Sequence, residues 1–355
     1  MQIQIHPLPL VKRHPLTISR GTAASSDNLL VTVEDEGIIG FGEFSPVSMG
    51  RVPETATAAE AKLTLIAPLL EDIRPWEFQR VEQIVTEIDT GEATFCGLEL
   101  ALHDWLGKKL GMPVYRLVGA NLSRIVPTSV TIGINPPEVV RERVAELTAR
   151  LAPKSVKIKL GSPQGTDHDC AIFAAVQETA PASVLLRVDA NGGWKTVETA
   201  SRMMQWLAER GVEYVEQPLA KGQEEELRTL FKNRPLPIYA DESCRIAADV
   251  VRLADRVDGV NLKLMKAGGI REGLRVIHTA RAHGLGVMMG CMSESELAIA
   301  GSVAISSFAD HLDLDSHLNL LHPPFAGLQW NNGRVLPGDG NGLGVIRQSE
   351  KGGEE

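Results

Sequence analysis

The chain is short of the features that would send it out of the cell, into a membrane or onto nucleic acid. Its four cysteines (Cys96, Cys170, Cys244 and Cys291) form no Cys-x-x-Cys pair and no framework spacing. They read as core packing in a reducing, cytoplasmic setting. No apolar run is long enough to cross a bilayer. The first residues, Met1-Gln-Ile-Gln-Ile-His-Pro, lack the basic start and apolar stretch of a signal peptide. Basic charge is also scarce: 36 Lys and Arg against 45 Asp and Glu leave a formal net charge of −9. Neither nucleic acid nor an anionic membrane is therefore an expected partner. No Gly-rich nucleotide loop follows the early strands, and Gly192-Gly193 and Gly268-Gly269 do not match that fingerprint, which weighs against a doubly wound open sheet.

What is present is the composition of a soluble globular chain, 43% hydrophobic and 23% charged over 355 residues. That length can bury a large core without disulfide or metal staples. The first third reads as α+β. Residues 2–8 and 28–34 alternate like strands, Gly40-Phe-Gly-Glu-Phe ends a third, and helical periodicity follows near 56–72, 76–88 and 95–110. From about residue 128 the pattern becomes regular. Eight short apolar runs, beginning at residues 129, 156, 185, 214, 237, 259, 286 and 311, alternate with helix-like segments. The expected fold is an α/β chain: a parallel (β/α)-barrel over 123–322 with an α+β capping domain over 1–122. A C-terminal segment, 323–355, returns to the cap and ends in a loose tail at Lys351-Gly-Gly-Glu-Glu.

Charges stand where barrel strands should be apolar. Strand two carries Lys157 and Lys159, strand three Asp189, strand four Glu216, strand five Asp241 and strand six Lys263. Charges are seldom buried unless paired or bound to metal, and the C-terminal strand ends are where barrel enzymes gather their chemistry. The three acids, 27 and 25 residues apart, converge on one point if the strands are in register. Taken singly, each acid could be a solvated strand end or half of an ion pair. Together their hard oxygens suit Mg²⁺. Lys157 and Lys159 share one side of their strand, and Lys263 sits across the barrel mouth. Desolvated near a cation, a lysine has its neutral form favoured and can act as a base. The alternative is that the lysines merely neutralise the acids.

Lys157-Ile-Lys, Asp189-Ala-Asn, Glu216-Gln-Pro, Asp241-Glu-Ser and Asn261-Leu-Lys-Leu-Met-Lys-Ala-Gly-Gly resemble the muconate-lactonising-enzyme subgroup of the enolase superfamily over nearly the whole chain. The resemblance implies Asp189, Glu216 and Asp241 as Mg²⁺ ligands, with Asn191 and Glu242 in support. It implies Lys159 and Lys263 as two acid/base catalysts passing an α-proton through an enediolate, and Lys157 as a holder of the substrate carboxylate. Strand eight reads Leu312-Asp313-Leu-Asp315, which resembles the Asp-x-Asp by which dipeptide epimerases take the substrate ammonium. Thr131 matches a family position that contacts the dipeptide. The implied reaction is epimerisation of a dipeptide at its C-terminal residue. Arg20 would suit an acidic second residue, as in L-Ala-D/L-Glu.

There is one departure. After strand seven the chain has Met292-Ser293-Glu294, where relatives carry an apolar residue in the middle, so the side-chain pocket should differ. Glu296 should start a helix. The second-ranked reading is o-succinylbenzoate synthase or N-acylamino acid racemase, and muconate cycloisomerase ranks third. An uncharged acyl group would give Asp313 and Asp315 no task. A homo-oligomer is compatible with the resemblance, since superfamily members are often symmetric assemblies.

Overall fold

The computed structural model describes residues 1–48 and 53–348, so the expected tail at 351–355 lies outside the described residues. The chain opens with a long hairpin of β1 (Gln2–Ile18) and β2 (Gly21–Asp35), and β3 (Ile38–Phe44) pairs with β2. Alternation betrayed only the base of this hairpin. There, residues such as Val31 and Val33 meet helices α1 (Ala56–Ile66), α2 (Phe78–Glu87) and α3 (Glu92–Leu110). The outer half, up to the turn at Ser19-Arg20, is mostly exposed polar backbone with a register irregularity between Val11 and Leu16. It faces no continuous core, so it carries no period of two.

Gly42 explains the Gly-Phe-Gly motif of β3. A Cβ there would sit 2.0 Å from the carbonyl oxygen of Gly97, so only glycine lets the strand lie against α3. Thr55 caps α1, its Oγ1 accepting from Ala58 N–H at 3.2 Å, and Gly111 ends α3 in the left-handed region behind Lys108 and Lys109.

Eight parallel strands follow in strict sequential order: β4 (Ser129–Ile132), β5 (Ser155–Lys159), β6 (Leu185–Asp189), β7 (Val215–Glu216), β8 (Ile238–Ala240), β9 (Gly259–Leu262), β10 (Gly286–Gly290) and β11 (His311–Asp313). A bridge between Thr128 and Leu312 brings the last strand beside the first. Helices Pro137–Leu151, Thr166–Thr179, Val197–Ala208, Glu224–Lys232, Ala247–Leu253, Ile270–Ala282 and Glu296–Ile305 connect successive strands.

The eighth strand is followed by no α-helix among the described residues. β11 is followed by a 3₁₀ turn, Ser316–Asn319, and Pro323-Pro324 precludes a helix there. β1 takes up part of that edge, where Leu321 N–H donates to the Val11 carbonyl at 2.9 Å. The chain then returns to the cap, where Leu343 N–H donates to Asp104 of α3 at 2.7 Å. No described helix is long and apolar enough to cross a membrane.

Candidate active site

Sheet register assembles the first half of the site. Lys159 lies opposite Asp189, and Asp189 opposite Glu216, so one layer of the barrel presents an ammonium and two carboxylates side by side. Lys157, two residues earlier on the same side, lies opposite Thr131. Asp241 and Lys263 follow immediately after the ends of β8 and β9. All six charged groups are buried.

One oxygen from each of Asp189, Glu216 and Asp241 lies within 4.8 Å of the other two. These oxygens fit a small divalent cation, being hard, anionic and close enough to share one centre. The lysines interleave with them. Lys159 Nζ is 2.6 Å from Asp189 Oδ2, and Lys263 Nζ is 2.8 Å from Asp241 Oδ2. Lys157 Nζ donates to Glu216 Oε2 at 3.0 Å and also to Asp313.

Two further residues complete this shell. Asn261 Nδ2 donates to Glu216 Oε1 at 2.6 Å. Lys266, fully buried, donates to Asp241 Oδ1 at 2.6 Å and to the carbonyls of Asp241, Cys244 and Asn261 at 2.7, 2.9 and 3.1 Å.

Burial opposes ionisation of Asp241, yet Lys263 and Lys266 outweigh it and hold its carboxyl well below the usual range. Asp189 is held low in the same way, by Lys159 and then Lys157. Glu216 is the least compensated acid. Burial, then the charge of Asp189, push it up to about 7. The lowering expected of lysines near a divalent cation is opposed by the bare carboxylates around Lys157 and Lys263. Burial lowers them, but Asp313 and Glu216 around Lys157, and Asp241 and Glu216 around Lys263, raise them above the ordinary value. A divalent cation on those carboxylates would cancel much of that attraction.

The other end of the site is acidic. Asp315 Oδ2 accepts Thr131 N–H at 2.6 Å, and Asp313 Oδ1 accepts the Thr131 hydroxyl at 3.2 Å. Burial, then Asp313, push the Asp315 carboxyl up to about 7. Lys157, Lys159, Lys263, Asp313 and Asp315 line a single cavity of about 420 Å³, with Leu16, Ile18, Ile132, Met292 and Ser293 among its other walls. Arg20 reaches the same rim from the hairpin tip. Its guanidinium is 2.7 Å from Glu242 Oε1 and 3.0 Å from the Asn191 carbonyl.

Several participants carried no signal strong enough to single them out in the sequence. Lys266 and Asn261 stand within the Asn261-Leu-Lys-Leu-Met-Lys-Ala-Gly-Gly motif, where no local pattern marks their partners. Gln217, in the left-handed region at φ +38°, accepts Asp241 N–H at 2.9 Å and donates to the Leu219 carbonyl at 2.7 Å, tying the ends of β7 and β8. Glu43, from β3, accepts Ser295 N–H at 3.0 Å and the Ser295 hydroxyl at 2.5 Å, at the start of the helix that Glu296 opens as expected. The Ser293 carbonyl accepts from Asn28 at 2.8 Å and from the Ser45 hydroxyl at 2.9 Å, so the capping domain holds this wall.

Residues 3–119 match the mandelate racemase / muconate lactonizing enzyme N-terminal domain, and residues 139–350 the enolase C-terminal domain-like family. A hydrophobic dipeptide epimerase from a Flavobacteria bacterium is 48% identical, covering 99% of each chain. An L-Ala-D/L-Glu epimerase from Bacteroides thetaiotaomicron is 32% identical over 98% of this chain and 88% of its own. The crystal structure of a dipeptide epimerase from Enterococcus faecalis, complexed with Mg and L-Leu-L-Tyr, superposes with a TM-score of 0.89 at 29% identity, covering 97% of this chain and 98% of that one. With both domains matched and the acidic triad and flanking lysines gathered at the barrel mouth, the chain belongs to the mandelate racemase / muconate lactonizing enzyme family of the enolase fold.

Proposed function

We propose that the protein epimerises dipeptides at the α-carbon of the C-terminal residue, with a preference for apolar side chains. The observation that carries the reading is the shared cavity, with lysines from two separated strands at one end and a buried acid pair at the other. Asp189, Glu216 and Asp241 would hold Mg²⁺, which supplies positive charge beside the substrate carboxylate when the α-proton leaves. Lys159 and Lys263 would each take or return that proton from its own face. Asp315, with Thr131 and Asp313 beside it, would receive the substrate ammonium. Asp313 already holds Lys157, so Asp315 is the freer of the pair.

The apolar preference rests on Leu16, Ile18, Ile132 and Met292 in the cavity wall and on the engagement of Arg20 by Glu242 and Asn191. That engagement argues against Arg20 as a counter-charge for a glutamate side chain. The activity named for the relative at 48% identity supports the same preference. The reading keeps the division into a cap (1–122), a barrel (123–322) and a returning segment (323–355). The four unpaired cysteines suit the cytoplasm.

The test is deuterium uptake from D₂O into an L,L-dipeptide library with Mg²⁺, followed by mass spectrometry. Labelling at the C-terminal α-carbon, strongest for residues such as leucine, valine and tyrosine, is expected. Strongest labelling of glutamate-ending dipeptides would overturn the side-chain preference, and labelling of none would overturn the reaction.

A further inference from the structure

We propose that Glu99, a capping-domain residue, is a positioning residue for Lys263 and leaves Lys159 untouched. The proposal rests on the two-lysine reading above. Glu99 sits within α3 with its side chain fully buried. Its carboxylate is turned onto the first turn of the barrel helix Ile270–Ala282. Oε2 accepts Ile270 N–H at 2.9 Å and Oε1 accepts Arg271 N–H at 3.0 Å. A carboxylate satisfying the free N–H groups of a helix start is favourable twice over, through the hydrogen bonds and through the helix dipole. His103 stands 3.2 Å from Oε2, also buried.

Gly269 makes this approach feasible. Its φ is +115°, and a Cβ there would lie 2.3 Å from Glu99 Oε2. The Gly-Gly pair of the sequence is thus the space into which a carboxylate from the other domain is plugged.

Lys263 stands at the opposite end of that same short segment. It follows the last residue of β9 and precedes the single turn Leu264–Ala267, which runs directly into Gly268-Gly269. Lys266 pins the middle of the turn to Asp241 from inside the barrel, and Glu99 pins its exit from the cap. The segment after Lys159 is held differently. Gly161 and Ser162 donate their N–H groups to Asp169, at 3.1 and 2.9 Å, and Asp169 belongs to the barrel's own helix Thr166–Thr179. One base therefore depends on a contact between domains for its position, and the other does not.

The experiment measures α-proton exchange in D₂O from each epimer of one dipeptide separately, in wild type, Lys159→Ala, Lys263→Ala, Glu99→Gln and Gly269→Ala. The two lysine variants identify which epimer each base serves. Glu99→Gln is expected to slow exchange through Lys263 on the order of 10–100-fold, as a displacement near 1 Å does, while exchange through Lys159 falls less than about threefold. Gly269→Ala, which crowds the plug from the other side, should show the same asymmetry. Equal slowing on both faces, or no slowing, would overturn the positioning role. Failure of both variants to fold would also overturn it, because the plug would then be a determinant of the whole fold. Wild type that exchanges neither epimer would instead refute the proposed reaction.

Discussion

Lys159 and Lys263 carry the same ammonium to the same cavity, yet the protein holds them by different means. Lys159 is the last residue of a barrel strand, and its position follows from pairing with β6 and from one bond to Asp189. Lys263 lies just past its strand, in a turn secured by Lys266 beneath and by Glu99 from the capping domain. On the proposed two-lysine reading, strand register alone places one amine, whereas the opposing one draws on a second structural unit. The two amines are chemically alike, but their supports are not.

The largest effect expected is from removing either amine. Lys159→Ala and Lys263→Ala should each lower epimerisation by about 10³-fold or more, with exchange of a single epimer surviving in each case. Equal residual exchange of both epimers in both variants would break the comparison at its root.

Lys266→Met should come next. It leaves the buried Asp241 carboxylate short of a partner, and breaking such a pair costs about 3–5 kcal/mol, read by urea unfolding without Mg²⁺. A cost near zero would remove Lys266 from the support of Lys263.

Asp241→Asn should weaken Mg²⁺ binding by more than the roughly 10–100-fold typical of outer-shell changes, measured by calorimetry. Unchanged affinity would exclude Asp241 as a ligand.

Asp315→Asn lies beside neither support and serves as a control on the far end. It should reduce kcat/KM for dipeptides about 10–100-fold, consistent with loss of a charged hydrogen bond worth about 1.5–3 kcal/mol. Turnover of N-acylamino acids should change far less, and parity between the two substrates would discredit an ammonium site.

The smallest effect concerns His103. Burial lowers its pKa, but Glu99 outweighs burial and raises it above the ordinary value. A folded-state pKa above the unfolded one means stability that is fully present below about pH 6.5 and lost as pH rises through the folded value. The destabilisation by His103→Gln should therefore be larger at acid than at alkaline pH. A pH-independent difference would detach His103 from the Glu99 plug.

The legible parts of the molecule share a cause. Charges interrupt apolar strands at Lys157, Lys159, Asp189 and Glu216 because the strand ends are the chemical surface, and a period of about 25–30 residues orders them around the barrel. The hairpin tip was not legible, because a ribbon lying over a cavity meets no continuous core and carries no alternation. No α-helix follows the eighth strand among the described residues, and Pro323-Pro324, present in the sequence, is the local signal against one.

By itself the sequence determined the barrel and the three acids that converge on one centre, because these follow from local pattern repeated in order, while the Asp313–Asp315 pair was marked by the resemblance of its strand. Only the tertiary structure decided that Arg20 is engaged by Glu242, that Lys266 lies beneath Asp241, and that Glu43 and Glu99 reach from one domain onto helix starts of the other. These contacts join residues up to 252 positions apart, and no local period records a partner at that distance.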